Sequence, residues 1–393
     1  INEFELLKGS GFSGTIDNIS VKDITFSEEV DLARINYDSN GDNGHILLEP
    51  TSTNLVTYSE DFEDSSWSNA SVGTTPTLEG GYTAPDGSNN AYKISNANQD
   101  SFWYTGVGTI ADYSRTIWAR TVSGTGTAQL TSHNSNTNNT FNLTEAWQRF
   151  EVNSTTSSIG EQSFYAVDFR GSGTLTELLV WGGQVEALPY ATSYIPTLTG
   201  STVTRATETL NGSGNSTLIN STEGVLYAEI ATLSEEDKAV GSQIAISDGT
   251  TDKRVLIFSS AASGSEGDIK VAIVKSSTES EERIALDNSS ATDLASFNKI
   301  AIGYKSGENV LFVNGSKITG ANTDFETFAF DFSSALNNLE FSDGSGSNSF
   351  RGKCKALAIF NEALSDDELE LLTGVTNYGS FGALAAADGY TII

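Results

Sequence analysis

Apolar residues recur at every second position through much of the chain, in short runs broken by Gly, Asn, Ser and Thr. Ser114–Thr121 (SRTIWART) sets Ile117 and Ala119 on one face and Thr116, Trp118 and Arg120 on the other. Trp147–Val152 (WQRFEV), Gly224–Ile230, Lys253–Phe258, Ile269–Val274, Lys299–Tyr304 and Asn309–Val313 read the same way. A two-residue period is that of a strand with one face buried. Asn314-Gly315 follows the last of these runs, and both residues tolerate positive φ, so a hairpin is predicted between Val310–Val313 and Lys317-Ile318. Polar stretches such as Thr131–Thr140 (TSHNSNTNNT) and Asp343–Ser349 (DGSGSNS) lie between apolar runs. Short alternating strands with such turns predict an all-β sandwich or barrel. The 10% aromatic content agrees, because disordered chains are poor in aromatics.

One helix is predicted. Leu364-Ser365-Asp366-Asp367-Glu368-Leu369 has the form of a capping box, with Ser365 as N-cap, Glu368 reaching back from the third helical position and Leu364 meeting Leu369 as a staple. Asp366 and Asp367 complement the helix dipole, and Gly374 stands where helices commonly end.

Charge and composition then remove whole classes of function. With 393 residues, the chain has material for two or three domains. Its formal net charge of −30 repels phosphate, and the densest cationic stretch, Arg351–Lys355, holds only Arg351, Lys353 and Lys355. Nucleic acid and anionic membrane surfaces are therefore not expected partners, and no apolar run is long enough for a membrane-spanning helix. The single Cys354 excludes an intrachain disulfide and a thiolate zinc cluster, and two histidines, His45 and His133, leave little for an imidazole metal site. Methionine is absent and no signal peptide is visible at Ile1, which leads to the expectation that Ile1 is internal to a longer product.

Three stretches share a form: Phe12–Lys22, Phe169-Arg-Gly through Trp181, and Phe350-Arg-Gly through Phe360. Each sets Phe, one residue and Gly before a polar step and an alternating strand. The second and third are expected to close the modules that precede them, and the first to close a module lying upstream.

The runs Ile46–Phe62 (ILLEPTSTNLVTYSEDF) with Trp67, Trp147-Gln-Arg-Phe, Trp181–Thr197 (WGGQVEALPYATSYIPT) and Val203-Thr-Arg-Ala occur in an order that resembles a module of tail-fibre and other virion proteins of phages infecting marine bacteria. Such modules look like jelly-roll carbohydrate-binding modules, and the resemblance covers about Asp31–Glu208. Phe12–Lys22 resembles the last strand of a related module. From about Leu210 to Thr373 the chain resembles a concanavalin-like, laminin-G-type sandwich, carried by Phe312-Val-Asn-Gly-Ser, Phe350-Arg-Gly, Ala358–Ser365 and the capped helix. Tyr378–Ile393 resembles the terminus of such phage proteins. The organisation expected is a terminal strand and linker over 1–30, a jelly roll over 31–208, a lectin-like sandwich over 209–373 and a tail over 374–393. The fold class expected is all-β, tandem antiparallel sandwiches with one short C-terminal helix.

Glycan-binding modules stack sugar rings on aromatic faces and hydrogen-bond the hydroxyls. Trp118 is the leading platform candidate, with Arg120 beside it on the polar face; the alternative is that it caps a sheet or faces a neighbouring subunit. Trp103-Tyr104 is read as lining the same surface, Trp181 is open to either role, and Trp67 and Trp147 are expected in the core. The acids Glu60-Asp61, Glu235-Glu236-Asp237 and Glu279–Glu282 read as solvated faces or loops, and neither histidine has a visible nucleophile partner, so catalysis is not expected. No cofactor is required; the resemblance implies structural calcium, with Asp17 matching the aspartate that helps to hold it. The function implied is a non-catalytic phage virion protein, extracellular and oligomeric, that contacts other virion subunits and binds host or environmental polysaccharide. The alternatives are accessory modules of a secreted polysaccharide-degrading enzyme and a purely architectural subunit.

Overall fold

A computed structural model of the chain describes residues 34–37, 44–71, 73–108, 113–132, 139–154, 163–234, 242–260, 268–276, 283–288, 293–319, 324–333 and 335–374. Phe12–Lys22 with Asp17, His133, the acidic runs at 235–237 and 279–282, and the tail after Gly374 lie outside these residues.

The fold is two antiparallel β-sandwiches in tandem, as the alternating pattern predicts. In the first, one sheet has the order Gln148–Ser154, Tyr113–Arg120, Glu177–Glu186, Ala91–Ser95, Thr77–Tyr82. The other runs Thr140–Leu143, Gly126–Ser132, Ser163–Asp168, Ser101–Gly106, Trp67–Ser71. Their inward residues form one core, including Ile94, Ile117, Ala119, Leu178 and Val180 from the first sheet and Trp67, Leu130 and Phe164 from the second. Burying that many aliphatic and aromatic side chains at about 1.5–3 kcal/mol each dominates the stability of this sandwich.

In the second sandwich a seven-stranded sheet faces a five-stranded one. The larger has the order Ile35–Asn36, His45–Leu48, Gly352–Phe360, Glu223–Ala231, Asn298–Lys305, Val310–Val313, Ser316–Lys317. The smaller runs Arg283–Asn288, Asp268–Val274, Arg254–Ser260, Gln243–Ser247, Asn338–Glu340. Val310–Val313 pairs with Ser316–Lys317 across Asn314 (φ 49°) and Gly315 (φ 81°), the predicted two-residue hairpin. The helix Asp366–Thr373 carries both reciprocal bonds of the capping box and buries Leu369 and Leu372 on the outer face of the larger sheet, where Leu364 also packs. Gly374 ends it in an extended rather than left-handed conformation (φ −63°, ψ 160°).

The sheets apportion the chain differently from its sequence pattern. Ile35–Asn36 and His45–Leu48, expected in the first sandwich, instead hydrogen-bond into the second: Ile46 pairs with Cys354 and Leu48 with Gly352. The reason is packing, since Leu48 belongs to the second core and Ile46 packs against it. The chain then crosses to Ser52–Asn54, which pairs with Val203–Arg205. Ions tie the two crossings together. Glu49 accepts from Arg34 Nη2 at 2.7 Å, from Arg205 Nη1 at 2.8 Å and from the Ser193 N–H at 2.8 Å, while Arg34 also meets Glu208 at 2.6 Å.

Candidate functional site

The face of interest is the outer side of the sheet containing Tyr113–Arg120. Ile117 and Ala119 are fully buried in the core, so strand alternation turns Trp118 and Arg120 outward. Trp181 stands opposite Trp118 in register, with Arg149 on its other flank. A bulge follows Trp181: Leu178 and Val180 point into the core before it and Val185 after it, so the inward parity changes from even to odd positions. Gly182 (φ +66°) and Gly183 absorb that change, and a Cβ at Gly182 would lie 3.2 Å from Trp118 Cδ1 and 3.3 Å from the Tyr194 ring. The bulge thus leaves both Trp181 and Gln184 on the outer side.

Around Trp181, Ala84 and Ala91 are gathered four half-buried aromatics: Tyr82, Trp118, Trp147 and Tyr194. Tyr194 packs on Trp181 with ring centroids 4.8 Å apart and planes at 51°. The Arg120 guanidinium lies over the Trp147 ring, 5.3 Å from its centroid, and Lys93 over Tyr82 at 5.7 Å. Lys93 is paired with Glu79 at 2.6 Å. Hydrogen bonds hold the rings: the Trp147 indole N–H donates to the Thr83 carbonyl at 3.2 Å, and that of Trp181 to Asn90 Oδ1 at 2.9 Å.

Beneath the rings runs a polar layer. Glu60 accepts from the Tyr194 hydroxyl at 3.1 Å and from Asn90 Nδ2 at 2.7 Å. Burial pushes the Glu60 carboxyl above its usual range, the Tyr194 and Asn90 bonds pull it back, and Asp86 adds repulsion. Burial and the nearby Glu60 charge raise the Tyr194 hydroxyl, so it remains a donor. Tyr194 is carried by a segment that covers the polar end of the same sheet, where Glu186 is wholly buried. Glu186 accepts from the Ser52 hydroxyl (2.6 Å), Gln184 Nε2 (2.7 Å), the Thr192 N–H (2.9 Å), the Thr192 hydroxyl and, more distantly, Ser114. Arg149 adds bonds to the Thr192 carbonyl at 2.8 Å and to the Thr116 hydroxyl at 2.9 Å.

The structure divides the residues singled out in the sequence. Trp118, Arg120 and Trp181 come together on one face. Trp103 does not join them: it points into the first core. Tyr104 lies on the opposite sheet, beside Phe102 at 5.3 Å, with Arg170 over Phe102 at 3.8 Å. The expectation that Trp103 and Tyr104 share a surface with Trp118 is corrected because Ser101–Gly106 belongs to the other sheet. Trp67 is in the core as expected, whereas Trp147 is not. Phe150 points inward, so the two-residue period turns Arg149 and Trp147 outward, and that parity was readable in WQRF. Glu60 is not a fully solvated acid but a half-buried acceptor bonded to Tyr194. No local pattern marks Tyr82, Asn90 or Tyr194, which join the patch only through sheet order and the covering segment.

Chemistry elsewhere is sparse. Cys354 is buried, and burial pushes its thiol up to about 12. His45 is buried against the Phe297 ring. Among the described residues no group of three or more His, Cys, Asp or Glu could hold a metal ion. Asp17, the residue put forward for calcium, lies outside them.

No protein family and no curated protein matches the chain. Among solved structures, it is similar to a Ruminococcus gnavus IT-sialidase CBM40 (22% identity, 42% of this chain and 94% of that one, TM-score 0.33). It is also similar to domains LG4-5 of the mouse laminin alpha1 chain (12% identity, 66% and 86%, TM-score 0.24). A third similarity is to domain 4 of a GH43 extracellular arabinanase from Geobacillus stearothermophilus, in complex with arabinotriose (12% identity, 83% and 99%, TM-score 0.22). Similarities this distant assign no ligand to this chain.

Proposed function

We propose that the first sandwich is a non-catalytic glycan-binding module whose platform is the aromatic patch of Tyr82, Trp118, Trp147 and Tyr194 set around the buried Trp181. The observation that carries this reading is the placement of four half-buried rings around Trp181 on the outer face of a sheet, away from the hydrophobic core. Aromatic side chains left at the surface of a sheet, held by hydrogen bonds and flanked by cations, present flat apolar faces of the kind on which the C–H faces of sugar rings stack. Glu60 and Asn90 fix the rings from below, which lowers the conformational cost of binding.

The display of this module on a phage particle, with other virion subunits and in an oligomer, rests on the sequence resemblance alone and is part of the same proposal. The test is a screen of the purified chain on an array of polysaccharides, repeated with Trp118→Ala. Selective binding that the variant loses, while its far-ultraviolet spectrum and unfolding transition are kept, supports the platform. Unchanged affinity in Trp118→Ala refutes it, and absence of binding from the folded wild-type chain favours an architectural role.

A further inference from the structure

Two hydrogen-bond donors of the aromatic patch, on Trp118 and Arg120, find no acceptor among the described residues. Arg120 lies within ion-pair distance of no carboxylate among the described residues, in a chain with 51 acids and 21 Lys and Arg. Its protein contacts are two carbonyls, those of Thr121 and Glu145, both at 3.5 Å from Nη1, the outer limit of a hydrogen bond. Its Nε is buried without a partner, and its Nη2 makes no hydrogen bond among the described residues. The Trp118 indole N–H, two residues away on the same face, is likewise buried without an acceptor. Glu145, whose carbonyl Arg120 contacts, spends one carboxylate oxygen on the Gly124 N–H at 2.6 Å.

Three lysines beside the patch or a groove are neutralised. Lys93 pairs with Glu79. The groove of about 370 Å³ beside the helix of the second sandwich is lined by Lys305, paired with Glu308 at 2.9 Å, and by Lys317, which meets Asp366 at 3.1 Å and Glu326 at 3.5 Å. Arg120 is different: its planar guanidinium is oriented by the Trp147 face and keeps an unspent edge. A guanidinium fork matches an anionic oxyanion group with two parallel N–H···O bonds, which neutral hydroxyls reproduce poorly.

Resting on the glycan-binding reading of this patch, we propose that its ligand is an acidic saccharide, whose carboxylate or sulfate ester is read by Arg120 while a neighbouring ring stacks on Trp118 and Trp147. The chain's net charge of −30 repels polyanions at long range, but that field is screened beyond about 8 Å at physiological ionic strength, whereas the contact at Arg120 is not.

The test compares matched polymers at 0.15 M salt, the ionic strength of that screening length: polygalacturonate against its methyl ester, and dextran sulfate against dextran. The expected result is an acid-to-neutral affinity ratio of about tenfold or more in one pair, the value of one charge-assisted hydrogen bond. Arg120→Gln should bring that ratio toward one, and Arg120→Lys should restore part of it. The pair that shows the ratio identifies the anionic group. Equal affinity for both members of both pairs, or a ratio that survives Arg120→Gln, overturns the proposal. If binding of neutral glycans remains and is lost in Trp118→Ala, only the specificity fails. If no polysaccharide binds at all, the platform reading falls with it. Tryptophan fluorescence during urea unfolding checks that each variant retains the first sandwich.

Discussion

Replacing Glu186 by Ala should loosen the first sandwich and, through it, the aromatic patch. The carboxylate is fully buried and accepts from four parts of the chain: Ser52, Gln184 on its own strand, Thr192 through both N–H and hydroxyl, and more distantly Ser114. Hydroxyl donors can rotate toward other acceptors. The Thr192 N–H cannot, and Gln184 Nε2 would keep only 3.4 Å contacts to the Thr192 and Ser193 carbonyls. Each buried donor left unpaired costs about 1–3 kcal/mol. Arg149 suffers as well, because burial lowers its guanidinium and Glu186 is the first of the charges that offset this. The sum expected is about 3–5 kcal/mol, as for breaking a buried charged network. In a unit of this size that is roughly 6–20 °C in the melting midpoint. All five tryptophans lie between Trp67 and Trp181, so their fluorescence reports the first sandwich without interference from the second. The assay is urea unfolding followed at tryptophan wavelengths, where the midpoint should fall at constant slope. Glu186→Gln keeps the volume and one acceptor and should lose about half as much. Glycan affinity should fall in Glu186→Ala, because Thr192 anchors the segment that carries Tyr194. A loss of stability below about 1 kcal/mol would refute the reasoning, by showing that the donors find other partners or water.

Four further outcomes are expected. Glu60 has a folded-state carboxyl raised above its unfolded value, so its charge costs stability; that cost is absent below the ordinary carboxylate pKa, grows as pH rises to the raised value and is complete above it. Glu60→Gln should therefore gain on the wild type as pH rises through that window, read from paired thermal melts, and a difference that does not change with pH refutes the assignment. Gly182→Ala combines positive φ with a Cβ 3.2 Å from Trp118, and should cost about 1–2 kcal/mol and displace the Trp118 ring, measurable as a shifted emission maximum and weaker glycan binding. Glu49→Ala leaves Arg34 and Arg205 without their shared carboxylate, and should cost about 3–5 kcal/mol, read as faster amide exchange at Ser193 and Thr51. Ser365→Ala removes the N-cap and should lower helix stability by about 1 kcal/mol, seen as faster exchange at Glu368 and Leu369 with the tryptophan transition unchanged.

Much of the fold was written into local pattern. Period-two alternation placed the strands, as in Tyr113–Arg120 and Asn298–Lys305, because a strand with one buried face must alternate. Asn314-Gly315 determined its hairpin and Ser365 with Glu368 its helix start, since both are decided by hydrogen bonds and dihedral angles within a few residues. The outward orientation of Trp118 and Arg120 followed from the same alternation.

What the sequence left open was decided by contacts between residues far apart in the chain. Alternation states which residues share a face of a strand but not which sheet the strand enters, so Tyr104 and Trp118 were placed on one surface when they lie on opposite sheets. His45–Leu48 pairs with a strand about three hundred residues later because Leu48 fits the second core, a choice that no local signal encodes. Trp147 was legible in principle from the parity of Phe150, but the bulge after Trp181 was not, because it answers to the close approach of Phe164, Trp118 and Tyr194. The sequence by itself determined that this is an all-β, acidic chain with tryptophans on strand faces. Tertiary structure alone assembled four of its aromatic residues around Trp181, set Glu60 beneath them and left Arg120 without an acid among the described residues, because sheet order and long-range packing, not local spacing, bring those groups within bonding distance.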